Sequence, residues 1–318
     1  MINESHTHPL SYDEGRAARG ISGSPREATM DKLASYLLTL ALTLTLVGCT
    51  QNDETEPGPS GGGGTGGEGG SAIECSDQDS FDPGDCPTSY PDSDCVVYVD
   101  AETEASGEGS SWQDAFRTVQ EGIDLAHCAS LNAGTCEQWQ VWVRAGSYFI
   151  QQGCRTHSVR LRANTEVYGG FAGTETTLED RDWESHETIL DGRDGPESEN
   201  HVYHVVHGAT DARLDGFTVS GGRADQENHP NHSDGGGMVN LAASPAVHHC
   251  TFRDNTAALR GGGMNNLATA SPTVVGCKFI DNHAGENGGG MANTAGSSPV
   301  ITDCLFEENT AVEYGGGI

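Results

Sequence analysis

The chain has 318 residues and sets 16 Lys+Arg against 47 Asp+Glu, a formal net charge of −31. Such a surface repels phosphate backbones and anionic lipid headgroups, which argues against nucleic-acid binding and electrostatic membrane docking. Forty-four Gly and 6% aromatic residues argue against a helical bundle, and ten Cys without a CxxC pair point to export rather than to a cytosolic metal protein.

Residues 33–47 form an apolar run, LASYLLTLALTLTLV, too short to span a bilayer but right for the core of a signal sequence. Lys32 precedes it, and it ends in Leu46-Val47-Gly48-Cys49, which resembles the lipobox of bacterial lipoproteins. The resemblance implies a leader at 30–49, lipid attachment at Cys49, and outer-membrane localisation with the folded part facing the periplasm, the surface or the medium. Residues 1–29 fit no leader pattern and are expected to be an over-extended start. The stretch 50–74 is rich in Gly, Pro and acids, cannot bury apolar area, and is expected to be an extended tether.

The next segment, 75–94, carries Cys75 and Cys86 among Asp, Pro and Ser, and Cys95 follows it directly. A small disulfide-stapled loop is expected there, with a Ca²⁺ loop as the alternative. Cys75, Cys86, Cys95, Cys128, Cys136 and Cys154 suffice for three bridges, and Cys128–Cys136, closing a short loop, is the expected single pair. CVVYVD from Cys95 reads as a strand. A helix is predicted over 111–126, capped by Ser111, with Trp112, Ala115, Phe116, Val119, Ile123 and Ala126 on one face. Beyond it, short strand-like runs follow one another between Gly and Asn turns, with no second helix.

From residue 235 the sequence repeats. Gly-Gly-Gly before Met238, Met264, Met291 and Ile318 recurs at steps of 26, 27 and 27 residues. Within each unit Asn240/Asn266/Asn293, Val247/Val274/Ile301, Cys250/Cys277/Cys304, Phe252/Phe279/Phe306 and Asn255/Asn282/Asn309 return. Fixed-period self-similarity means that each unit buries its apolar face by stacking on its neighbours. Apolar residues two apart without helical spacing make the unit a set of strands. The expected architecture is an all-β parallel β-helix over 95–318, with Cys and Phe ladders inside, an Asn ladder at a turn, and the N-terminal helix as cap.

The entry segment, VVYVDAET through TILDG, is similar to the N-terminal part of many secreted bacterial right-handed parallel β-helix proteins, the pectate-lyase-like solenoids. The later units (GGGMxN, FxxN) resemble the GGAI and FxxN repeats of the polymorphic outer-membrane proteins, chlamydial adhesins. Here Gly-Gly-Gly-Met replaces the commoner GGAI, and the chain stops within a unit, which is expected to mean missing coils. The fold carries lyases, hydrolases, epimerases and adhesins alike, so it implies no activity by itself.

Asp254, Asp281 and Glu308 occupy one position of successive units. An outward column of like charges could be bridged by Ca²⁺, the sole cofactor expected; the alternative is three solvated turn residues. His201, His204 and His207, read as one strand, alternate faces and make poor joint ligands; His229-x-x-His232-x-Asp234 could hold a divalent metal or simply be a solvated loop. Pectate-lyase chemistry needs a basic proton abstractor, and the repeats offer only Arg253, Arg260 and Lys278 at non-equivalent positions. The expected role is non-catalytic adhesion or binding of a polysaccharide or a host or neighbouring-cell ligand, without catalytic residues. A polysaccharide lyase or glycoside hydrolase working in a groove, and a structural envelope spacer, are the alternatives.

Overall fold

The structure, a computed structural model, describes residues 81–318 apart from 83, 85, 88, 91–93, 133–135, 137 and 230. The expected start at 1–29, the leader with Cys49, the tether and Cys75 lie outside the described residues. Among the described residues no helix is long and apolar enough to cross a membrane.

The strands fall into four sheets of seven, six, five and four strands. Every pairing between these strands is parallel. One unit runs Ala246–His248 in the first sheet, Thr251–Arg253 in the second, Thr256–Ala257 in the smallest and Met264–Leu267 in the third, then re-enters the first at Thr273–Val275. The next units repeat that order. The pairing register is the sequence repeat made physical: Met238 lies opposite Met264 and Met264 opposite Met291. Val247, Val274 and Ile301 align in the same way, as do Phe252, Phe279 and Phe306. The three phenyl rings stack at 4.9 and 4.7 Å, close to the spacing of paired strands.

Polar ladders run beside the apolar ones. Asn282 Nδ2 donates to Asn309 Oδ1 (2.9 Å) and to the Phe252 carbonyl (2.8 Å), and Asn255 repeats the arrangement on Asn282 and Val219. A second amide ladder links Asn240 to Asn266 and Asn266 to Asn293, both at 2.8 Å. Buried amides are tolerable only when bonded in this way. The triple glycine has two jobs. Gly235, Gly261, Gly288 and Gly315 adopt left-handed φ of 71, 66, 62 and 60°. The second and third glycines face neighbouring backbone: a Cβ on Gly262 or Gly263 would fall against the carbonyl oxygens of His283 and Gly290.

The helix differs from its predicted span. Trp112–Asp114 is a single 3₁₀ turn, Ala115 is extended, and Phe116 bridges to Val99. The α-helix, α1, runs Val119–Asn132 and buries Val119, Ile123, Ala126 and Ala129 against Val97, Val99 and Val141. Its true start is a capping box. The Thr118 N–H donates to Glu121 Oε2 (3.0 Å) and the Glu121 N–H to Thr118 Oγ1 (3.3 Å). Trp112 is diverted because the outer face of the first sheet needs a cover. Val97 and Val99 point into the main core, whereas Val96 and Tyr98 belong to an outer cluster with Trp142, Tyr168 and Phe171. Trp112 packs on that cluster, 4.9 Å from Tyr98 and 5.5 Å from Phe171.

The expected Cys128–Cys136 bridge is corrected. Cys128 pairs with Cys86 and Cys136 with Cys95, with Cα separations of 5.5 and 6.3 Å. α1 continues through Asn132, which uses up most of the chain that a 128–136 loop would have needed. The bridges instead pin the entry segment to the C-terminal part of α1 and to the connection that follows it. Cys154 is disulfide-bonded as well. Ser111 makes no side-chain cap, so Thr118→Ala is expected to cost about 1 kcal/mol and Ser111→Ala nearly nothing, compared by urea denaturation.

Candidate functional site

Residues singled out in the sequence take these places. Cys250, Cys277 and Cys304 are free thiols, the first two buried, and each Sγ lies near the carbonyl two residues earlier. Hydrogen bonds from its neighbours Cys250 and Cys304, together with burial, push the Cys277 thiol up, so it is an inert packing group. Asp254, Asp281 and Glu308 are exposed corner residues at left-handed φ of 56, 53 and 55°. Arg253 reaches Asp254 at 3.4 Å. Among the described residues no three His, Cys, Asp or Glu side chains come together in a way that could hold a metal ion, this column included.

The buried carboxylates have a common arrangement. Asp100, Asp191, Asp215 and Asp234 are the buried acids among the described residues, and each is bonded to a guanidinium. Arg144 meets Asp100 at 2.8 Å, Arg193 grips Asp191 at 2.6 Å, and Arg260 grips Asp234 at 3.0 Å. Asp215, 0% exposed, accepts from Arg181 at 2.7 Å, from Arg213, and from His249 Nδ1 at 3.1 Å. Burial alone would raise the Asp215 carboxyl; the hydrogen bond and charge of Arg181, then Arg213 and His249, outweigh it and hold it below its ordinary range. Trp183 stacks on His249 at 4.6 Å, and Arg181 lies 4.8 Å from both the Trp183 and the Tyr168 rings. The group is a closed ion cluster that ties a corner down.

A different kind of site lies where the repeat is broken. Arg223–Ala224 pairs with Thr256–Ala257, and Met238 pairs with Met264. The link before Gly235 therefore runs over residues 225–234, ten against the three residues 258–260 of the next unit. This insertion roofs a concave site of about 440 Å³, lined by Tyr203, His204, His207, His229, His232 and Asp234, with Thr156, Arg160 and Asn231 and an apolar wall of Val239, Leu241 and Leu267. Insertions in repeat proteins collect on binding faces. The rings form a stack: Arg155 lies 4.2 Å above Tyr203, Tyr203 lies 4.0 Å from His232, and His232 lies 4.0 Å from His229.

Here the strand-alternation reading of the histidines is corrected. Only Val206–His207 is strand, and the chain bends before it, so His204 and His207 meet edge to face at 5.1 Å instead of facing opposite ways. His201 turns elsewhere, its Nδ1 2.7 Å from the Gly221 carbonyl. His204 is buried between two carbonyls, Nδ1 at 2.9 Å from Gly235 and Nε2 at 2.6 Å from Asn231. Burial, against those two carbonyls, pushes His204 down; burial, then His204 and Arg160, push His207 well down. Burial, then His229, His204 and Arg155, push His232 down to about 4. The site was hidden in the sequence because Val219 and Gly222 stand where later units have Phe and Asn, so the repeat becomes visible only at Gly235. The spacing from Ala224 to Gly235 was the available signal.

Asp215→Ala strands Arg181 and Arg213 without their partner and is expected to cost about 3–5 kcal/mol in urea unfolding. The histidines set a pH dependence. Their folded pKa values lie below the ordinary 6.5, so the unfolded chain binds more protons. The stability they supply is therefore complete above 6.5 and is lost as pH falls toward about 4, where His232 titrates. A melting-temperature series is expected to decline across that window, and His232→Gln to flatten the decline. No family model matches this chain, and no curated protein or solved structure shows a significant match to it.

Proposed function

We propose that this chain is an exported lipoprotein, anchored through Cys49, whose body is a right-handed parallel β-helix that binds polysaccharide or a neighbouring-cell ligand without turning it over. Parallel strands joined by crossovers within one sheet are right-handed in about 98% of cases, which supports the handedness. The recurrence of the four-sheet order unit after unit supports the helix. The resemblance of the GGGM and FxxN units to polymorphic outer-membrane protein repeats supports a surface role.

The observation that carries the non-catalytic reading is the commitment of the buried acids. Cleavage of glycosidic bonds uses one carboxyl held protonated and a second poised opposite it. Among the described residues each buried carboxylate is neutralised by a guanidinium. The binding half of the proposal draws on the roofed concave site, whose flat stacked rings suit the faces of sugars and other planar groups.

The test incubates the full chain with acidic and neutral polysaccharides and reads polymer retention and new reducing or unsaturated ends in the same tubes. Retention with no new ends is expected. New ends would overturn the non-catalytic reading, and no retention of any polymer would leave a spacer as the better account.

A further inference from the structure

We infer that the site beneath the 225–234 insertion binds an oxyanion, a carboxylate or sulfate group, presented by a ligand with an apolar face. The inference rests on the binding reading above and names the chemistry of its site.

Three observations converge on it. The first is charge. His204, His207 and Arg160 line the floor, His229 and His232 hang from the insertion, and Arg155 backs Tyr203. Two carboxylates beside this group among the described residues are already committed, Asp225 to Arg155 at 2.9 Å and Asp234 to Arg260 at 3.0 Å. A chain of net charge −31 has thus gathered cationic and protonatable groups around one concavity and neutralised the acids beside it.

The second is unspent hydrogen-bonding capacity. The His207 ring lines the site with no hydrogen bond to either nitrogen, and Thr156 Oγ1 is buried there without a partner, among the described residues. An open ring nitrogen at the half-buried His207 and a buried, open hydroxyl at Thr156 are where a ligand oxygen gains most. The third is the opposite wall, where Leu241 remains 52% exposed beside Val239 and Leu267.

A proton linkage follows. What depresses these imidazoles, after burial, is other positive charge: His204 and Arg160 at His207, and His229, His204 and Arg155 at His232. An entering anion reverses that sign, so binding takes up protons. At His204 a proton would also let both ring nitrogens donate, to Gly235 and to Asn231, tying the floor to the insertion. Affinity should then rise as pH falls, by up to about tenfold per pH unit for each linked proton.

The experiment is calorimetric titration of the full chain with sodium sulfate, sodium glucuronate and glucose at about pH 5.5 and about pH 7.5, in two buffers of different ionisation enthalpy. The expected result is that one or both anions bind with net proton uptake and roughly tenfold or more tighter at the lower pH, while glucose does not bind. Sulfate alone would support a free inorganic ion, and glucuronate alone a sugar-borne one. His207→Gln, half-buried, should weaken low-pH binding roughly tenfold and reduce proton uptake, and His229→Gln, exposed, should weaken that binding roughly tenfold.

Glucose binding as tightly as glucuronate would overturn the inference, as would affinity independent of pH or binding indifferent to both variants. Polymer retention measured alongside separates the two levels. Retention with no anion binding overturns this inference alone, whereas loss of both overturns the binding reading beneath it.

Discussion

Everything in this molecule depends on in-register parallel pairing from one unit to the next. Once Met238 sits opposite Met264 and Phe252 opposite Phe279, each residue's environment is made largely of its own copies. Phenyl rings stack on phenyl rings, and primary amides donate to primary amides. A slip of one residue would move every such set from inside to outside. The period of 26 or 27 residues is therefore a physical requirement, and the glycine triplet enforces it, because no side chain fits where neighbouring carbonyls approach.

That constraint also dictates where charge can go. Carboxylates stacked at strand spacing repel, so the repeat keeps them at exposed corners such as Asp254 and Asp281, or buries them singly with an arginine. Asp215 is the extreme case, with two guanidinium groups and an imidazole on one carboxylate. The arginines act as internal counter-ions in a chain that is otherwise overwhelmingly acidic.

Function has room only where the constraint is relaxed. The ladders bond chiefly to themselves, and polar atoms left unpartnered within the repeat, such as Asn240 Oδ1, Asn287 Oδ1 and both amide atoms of Asn265, are buried. The insertion at 225–234 escapes the register, so its side chains are free to converge on residues from other units. His229 and His232 come from the insertion, and Tyr203, His204 and His207 come from the segment entering the third sheet. The stacked rings and depressed imidazoles belong to this irregularity rather than to the fold.

Much of the architecture was legible in the sequence, since a solenoid-like repeat writes its contacts as periodicity. The strand-rich units, the Phe, Cys and Asn ladders and the glycine turns are all near in register, so one line of text displays them. Composition likewise displayed the acidity. Contacts without a period were not legible. Cys128 meets Cys86 across 42 residues and Asp215 meets Arg181 across 34, and nothing in the local spacing announces either. The start of α1 was settled by Thr118 and Glu121, while Trp112, on the same apparent stripe, was drawn to the aromatic cover of the first sheet. His204 and His207 came together because the backbone bends at a position that alternation assumed to be straight. Sequence alone determined the repeat, because neighbouring units impose the same environment on the same residue; tertiary structure decided the site, because its residues come from places where that sameness fails.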